Sequence, residues 1–387
     1  MPLPSVGLYI HLPWCVQKCP YCDFNSHPLH QALPEADYLE ALQADLAFES
    51  AREPGQVAID SIFFGGGTPS LFSGRAIAVI LETVNQYYSL SSDAEITLEA
   101  NPGTAESSYF NDYRAAGVNR LSLGMQSFDD GMLKQLGRIH GAAECLAAFD
   151  KARQAGFDNI NIDVMFGLPE QSEQAALQDL QQAIQLEPEH LSWYQLTIEP
   201  NTGFASQPPP LPADDAVYAM QAQGINQLAA DNYRRYEVSA FSRAGRECRH
   251  NLNYWQFGDY LGIGAGAHAK LTDTAASGQV VRSMRQRHPK AYMQYAGSKV
   301  AIQEENAVAS NMLLFEFLLN HLRLLDGFRL ADLERMTPVS RDQLREVMQP
   351  AVKNGLLEVG GDDCRATARG FRFLNEILLL ALPEKGG

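Results

Sequence analysis

Tyr9-Ile-His-Leu-Pro-Trp-Cys15-Val-Gln-Lys-Cys19-Pro-Tyr-Cys22 ends an apolar run that begins at Val6, and it sets three cysteines within eight residues. The run 6–12 reads as a buried strand, so the C-x3-C-x2-C spacing falls on the loop that leaves it. Three thiolates on one compact loop can hold three irons of a [4Fe–4S] cluster, because thiolates are the usual cluster ligands. The fourth iron then has no cysteine and stays open to a small chelating molecule. The other reading is structural zinc, which normally needs four closed ligands; the fourth would come from His11, His27 or a distant residue.

The chain has 387 residues, room for two or three domains at roughly 150 residues each. Hydrophobic residues make up 45% and charged residues 20%, ordinary globular usage. The 46 acidic residues outnumber 30 basic ones, for a formal net charge of -16. Such a surface repels polyanions and argues against nucleic acid as a partner, while leaving room for a local basic pocket. Residues 1–17 contain no lysine or arginine, so the basic start of an export signal is missing. Glu316, Asn320 and Arg323 interrupt the richest apolar stretch, which is therefore no membrane span. The expectation is a cytoplasmic protein, where disulfides seldom persist and clustered cysteines point to metal or cluster ligation.

Downstream, β-branched or aromatic runs at 58–64, 95–100, 120–126, 159–166 and 191–198 alternate with helix-like segments near 36–52, 73–89, 106–116, 141–155 and 172–186. Strand and helix in alternation imply right-handed crossovers and a parallel sheet. Six units over some 200 residues fit an α/β fold with an incomplete (β/α) barrel, and a flat doubly wound sheet is the alternative. The proline-rich stretch 207–212 reads as a stiff connection, followed by a helix near 214–230, a run at 233–241 and a glycine-rich stretch at 258–266. From about 305 the character changes. Leu313, Leu314, Phe317, Leu318, Leu322 and Leu325 follow helical spacing. Helices at 329–336 and 340–353 and a hairpin around 360–363 complete a C-terminal α+β module of winged-helix type. With this net charge it reads as a packing domain. The expected division is 1–240, 241–304 and 305–387.

Further motifs sit where the strands end: Gly65-Gly-Gly-Thr-Pro69, Glu99-Ala-Asn-Pro102, Gly124-Met-Gln-Ser-Phe128, Gly137-Arg-Ile-His140, and Asp163 with Gly167-Leu-Pro169. Glycines at 65–67 let backbone amides approach an anionic group, although such a stretch also makes an ordinary strand-to-helix turn. Arg138 can hold a carboxylate in a fork geometry or form a surface ion pair. Together with the cysteine loop, these motifs resemble the radical S-adenosylmethionine (SAM) superfamily, and within it the branch of oxygen-independent coproporphyrinogen III oxidases, over residues 6–270. The resemblance implies an incomplete barrel with the cluster on Cys15, Cys19 and Cys22 and SAM at the carboxyl ends of the strands. It implies that Gly66, Gly67 and Thr68 line the methionyl end of SAM and that Glu99 takes its α-ammonium or ribose. Gln126 and Asp163 would take ribose hydroxyls, Arg138 a carboxylate, and Tyr9 and Tyr21 would flank the cluster and adenine. The implied chemistry is electron transfer from the cluster to the SAM sulfonium, with the protein supplying position and exclusion of water.

Three features depart from the oxidase pattern. Phe24 stands where the oxidases carry another cysteine. The chain starts eight residues before Tyr9, where the oxidases have an additional segment. His250-Asn-Leu-Asn-Tyr-Trp255 matches the signature of the heme-chaperone branch. That branch implies heme as cargo, delivered to apoproteins such as respiratory enzymes, with the SAM scaffold retained and no coproporphyrinogen oxidase activity. The alternative is oxidative decarboxylation of coproporphyrinogen III. The resemblance further implies a reductant protein, a cluster-linked homodimer and contact with a membrane-bound acceptor. His250 is the expected heme ligand, since neutral imidazole is a common axial partner, with Tyr254 and Trp255 covering the macrocycle and Cys248 as a second contact. The plain alternative is packing under the glycine-rich stretch. His140 and His268 are weaker candidates, and Cys145 and Cys364 read as buried thiols.

Overall fold

The computed structural model describes residues 5–52, 57–103, 106–273 and 278–383. Strands β1 (Ser5–Leu12), β2 (Ala58–Gly66), β3 (Ser89–Ala100), β4 (Arg120–Gln126), β5 (Ile160–Phe166) and β6 (His190–Gln195) lie side by side in that order, every neighbouring pair parallel. Successive side chains of a strand point to opposite faces, and these strands sort their residues accordingly. Leu8 and Ile10 of β1, Leu98 of β3, Leu121 and Leu123 of β4 and Ile162 and Val164 of β5 join one apolar core. Tyr9, Glu99, Ser122, Gly124 and Asp163, at the alternate positions, line cavities on the other face. One face of the sheet is thus the helix-packed core, and the other is a polar interior.

The helices that cover the apolar face are α1 (Glu35–Arg52), α2 (Gly74–Tyr87), α3 (Phe110–Ala116), α4 (Ala142–Gln154) and α5 (Glu173–Gln185). Each turns an apolar stripe inward, as with Ile77, Ile80 and Val84 of α2 or Ala176, Leu180 and Ala183 of α5. Their starts are set by side-chain caps: Ser73 accepts from the Ala76 amide and Ser172 from the Ala175 amide. Helix α6 (Asp214–Ala230) packs on α5 beyond the last parallel strand.

Beyond β1 the sheet continues. Strand β7 (Tyr260–Ile263) is parallel to β1, and β8 (His268–Asp273), β9 (Gln279–Arg285) and β10 (Ile302–Ala307) follow antiparallel. At the opposite edge Ala240–Ser242 pairs antiparallel with β6. The twelve strands run in one linear order among the described residues, so the barrel is open. Residues 249–255, expected as a ligand motif, form a short helix, α7 (Arg249–Trp255), that packs against β1 and β2.

The C-terminal module has α8 (Leu313–His321), α9 (Leu330–Met336), α10 (Arg341–Lys353) and a three-stranded sheet that includes the hairpin Leu357–Gly360 and Asp363–Ala366. Gly361 turns the hairpin at φ 62. Phe317, Leu318, Leu333, Leu344 and Met348 form its core, which also takes in Phe257 and Val280 from the sheet side. Among the described residues, no helix is long and apolar enough to cross a membrane.

Candidate cofactor site

The loop after β1 is clamped at both ends. Trp14–Cys15 pairs in parallel with His27–Pro28, and the Leu29 amide donates to the Cys15 carbonyl at 2.9 Å. Between these clamps, Cys15, Cys19 and Cys22 line one cleft of about 450 Å³ at the carboxyl ends of the strands. All three are free thiols. Burial pushes the Cys15 thiol up; the other two sulfurs add to this, and hydrogen bonds from Thr68 and Ser26 oppose it. Thiols held in this way become thiolates when positive metal is present. Three cysteines on one cleft suit a body with several metal corners, each taking a different iron, whereas structural zinc normally needs four closed ligands. The donor set therefore fits a cluster better than zinc.

The glycine turn at the end of β2 lies under this loop. The Gly67 amide donates to the Leu12 carbonyl at 2.8 Å and the Thr68 amide to the Trp14 carbonyl at 2.7 Å. A Cβ at Gly67 would stand 2.5 Å from the Trp14 oxygen. Gly66, at φ 121, donates its amide to Glu99 Oε2 at 3.3 Å. Withdrawal from water, and then the charge of Asp163, push the Glu99 carboxyl up to about 8, with the Gly66 N–H opposing. The Asp163 carboxyl is also raised, chiefly by burial, against hydrogen bonds from Asn161, Ser192 and Ser122. Its oxygens accept from Asn161 Nδ2 at 2.9 Å and Ser122 Oγ at 3.3 Å.

Arg138 reaches the cleft from the loop after β4. Its Nη2 donates to Asn101 Oδ1 at 2.7 Å and to the Gly124 carbonyl at 2.6 Å, and its Nη1 lies 3.8 Å from Cys19 Sγ. Its Nε is buried without a partner, an N–H left for a ligand. Gln126, at φ 72, is a non-glycine residue in the left-handed region, a strain that persists where the surroundings enforce it. Its Oε1 accepts from the Tyr194 hydroxyl at 2.8 Å. Tyr21 lines the same cleft and packs on Phe204. The expected set Tyr21, Gly66, Gly67, Thr68, Glu99, Gln126, Arg138 and Asp163 thus lines one cleft with the three cysteines.

Tyr9 does not line that cleft. It borders two adjoining cavities, its hydroxyl 3.0 Å from His11 Nδ1, and burial beside Glu99 raises its phenol. Asn101, which bridges Arg138 to Thr68 Oγ1 at 3.1 Å, and Tyr194 were not singled out from sequence. Asn101 lies inside the Glu99–Pro102 motif, and that was the available signal.

His250, the expected heme ligand, lies deep in the fold. Its ring is 1% exposed, with Nδ1 3.0 Å from Ser61 Oγ, Phe63 stacked at 5.2 Å and the edge of Tyr254 at 4.9 Å. Burial, and then Arg120, push it down to about 3. The adjoining inner cavity is about 270 Å³, below the roughly 300–1,000 Å³ of ligand pockets. The imidazole faces the barrel interior, where its Nε2 is buried without a partner. Trp255 turns away, its ring 4.3 Å from the Arg323 guanidinium. Cys248 is fully buried against Glu95 and pushed up to about 12. His140 is also buried and pushed down to about 3, whereas His268 is exposed in a separate cavity.

An open parallel barrel with three unpaired cysteines and a glycine-lined cleft at its mouth defines a radical SAM protein. The Radical SAM superfamily model matches residues 9–183 and the HemN C-terminal domain model residues 309–373. A [4Fe–4S] cluster and SAM are accordingly its cofactors. The chain belongs to the family of heme chaperones called HemW. It is 47% identical to the Escherichia coli heme chaperone HemW and 46% to that of Haemophilus influenzae, in each case over 99% of both chains. The Mycobacterium tuberculosis heme chaperone HemW is 34% identical over 96% of this chain and 93% of its own. Among solved structures, Escherichia coli coproporphyrinogen III oxidase (HemN) superposes with a TM-score of 0.83 at 22% identity, over 98% of this chain and 90% of that one; this likeness shows the fold.

Proposed function

We propose that this chain binds heme and hands it to heme-dependent apoproteins such as respiratory-chain enzymes, using the cluster and SAM to govern binding or release. The observation that carries this reading is the end-to-end likeness to heme chaperones. Phe24, in place of an oxidase cysteine, also supports it over decarboxylation.

Cys15, Cys19 and Cys22 hold the cluster. When bound, the cluster supplies the electron that the SAM sulfonium accepts. Gly66, Gly67 and Thr68 give the methionyl end a surface without bulky side chains. Glu99 faces its α-ammonium or ribose, and Asp163 and Gln126 take ribose hydroxyls. Arg138, fixed by Asn101 and Gly124, offers its free Nε–H to a carboxylate. Tyr21 covers the cleft from the loop side, and Tyr9 stands beside Glu99 in the adjoining cavities. No residue is assigned to bond-breaking on a porphyrinogen. Residues 1–240 carry the cofactors, 241–304 the cargo side, and 305–387 pack against the sheet edge.

The chain works in the cytoplasm, in keeping with six free cysteines. It takes electrons from a reductant protein, pairs as a homodimer and meets a membrane-bound acceptor. Contact with the membrane is local, since a net charge of -16 gives no general attraction to anionic lipid.

The test offers reduced holoprotein and SAM either coproporphyrinogen III or heme with a heme-free acceptor. Heme in the acceptor without decarboxylated product is expected; decarboxylated product from the first mixture would overturn the reading. Cys19→Ser should remove the cluster's visible absorption while circular dichroism stays native, and full iron and sulfide in that variant would contradict the ligand assignment.

A further inference from the structure

A seat for a planar, dianionic tetrapyrrole needs room, apolar walls, a donor atom with a free lone pair, and a cation for the carboxylates. These requirements meet beside the cofactor cleft, in an adjoining cavity of about 520 Å³ between the cluster loop and the flap of β7, β8 and β9. We propose that this cavity seats the heme, with His268 as its axial nitrogen donor and Arg287 gripping a propionate; the proposal rests on the heme reading above.

The geometry sets His268 apart from the other histidines. It opens β8, stands opposite Met284 of β9 in the strand register, and is exposed. Among the described residues, neither of its ring nitrogens takes a hydrogen-bond partner. Burial and the nearby Arg282 and Arg287, opposed by Glu304, lower its pKa, which leaves the imidazole neutral with a lone pair at neutral pH. Met284 lines the same cavity and offers a thioether, a known heme ligand. His250 also has an unpartnered Nε2, but that nitrogen is buried at the smaller inner cavity of about 270 Å³.

The rest of the cavity supplies the other requirements. Phe24 is 61% exposed, and its ring borders both this cavity and the cofactor cleft. Tyr254 and Tyr260 give further aromatic wall. Arg287 is exposed at the cavity, and its guanidinium has no ion pair recorded among the described residues. Arg52, Arg153, Arg282 and Arg285, by contrast, are each tied to a carboxylate. In a chain of net charge -16, an arginine left untied beside an aromatic cavity suits a carboxylate ligand. Gly66 and Glu99 border both cavities as well, so a macrocycle here lies next to the SAM site.

Ferric heme titrated into the full-length, cluster-loaded chain tests the assignment. Wild type should take up one heme with a shifted, ligated Soret band. His268→Ala should lose that band position, and free imidazole should restore it in the variant, which a merely structural role would not allow. Arg287→Gln should weaken binding by about tenfold, the scale of one lost charge-assisted hydrogen bond, with the wild-type Soret position kept. Cluster absorption in each variant checks folding. Wild-type spectrum and affinity in His268→Ala would overturn this seat and leave the heme reading standing, as would loss of ligation in His250→Ala alone. No uptake of heme by wild type would overturn both.

Discussion

Glu99 illustrates what one residue contributes to the site. Its carboxyl is held up to about 8 by burial and by Asp163, against an ordinary value near 4.5. A carboxyl raised in the folded state binds a proton that the unfolded chain has already lost. Stability of the ligand-free protein therefore falls as pH rises from about 4.5 to about 8. A cationic ligand reverses the bias, since a positive group beside the carboxyl favours its ionised form. SAM binding at pH 7 should thus release protons, measured as a dependence of the calorimetric heat on the buffer's ionisation enthalpy. Glu99→Gln should abolish that release, weaken SAM by about tenfold on the scale of a lost charge-assisted hydrogen bond, and raise the melting temperature of the ligand-free protein at pH 8 relative to wild type. Unchanged proton release in the variant would place the coupled group elsewhere.

At the scale of elements, β1 to β6 and their helices were legible because each strand alternates core and interior residues and the helices carry apolar stripes. The expected run 120–126 coincides with β4, and the expected segment 214–230 with α6. The triple-glycine turn and the strand-end carboxylates were legible only through the resemblance to radical SAM motifs, and the structure brings them to one cleft. Strands β8 and β9 were not read, because their buried positions include charges that look like surface, and β10 is an exposed, polar edge strand. Lys270 is 1% exposed and pairs with Asp259 at 2.7 Å. Arg285, equally buried, binds Asp45 and Glu49 of α1, far away in sequence. The depth of His250 was not legible either: a motif names residue types but not depth, and α7 turns this ring into the barrel. The Arg285 site carries its own prediction. Arg285→Ala strands the fully buried Asp45 carboxylate, so urea unfolding should show a loss of about 3–5 kcal/mol. Arg285→Met combined with Asp45→Leu should recover part of that loss, since apolar replacement removes the unpaired charge.

Across the whole molecule, the cluster loop and the flap are joined by Asn25, one residue beyond Phe24. Its Nδ2 donates at 2.9 Å to the carbonyls of Ala265 and Arg287, and a Cβ on Gly266 would lie 2.3 Å from it. The side chain therefore holds the loop that carries the cysteines against the turn before His268 and the bend that carries Arg287. Anything that reorders the loop, such as cluster loss or SAM binding, changes the wall of the cavity. Affinities linked in this way must be reciprocal: if SAM alters heme binding by some factor, heme alters SAM binding by the same factor. Asn25→Ala removes both hydrogen bonds but no cysteine and no residue lining the SAM cleft. It should keep its cluster absorption and SAM affinity, raise amide hydrogen exchange around residues 264–268 and 284–288, and make heme affinity nearly independent of SAM. Equilibrium titrations of heme with and without SAM, in wild type and variant, measure that difference. A coupling factor that survives intact in Asn25→Ala would mean that the two sites communicate through Phe24 or the shared Glu99 wall and not through this clamp.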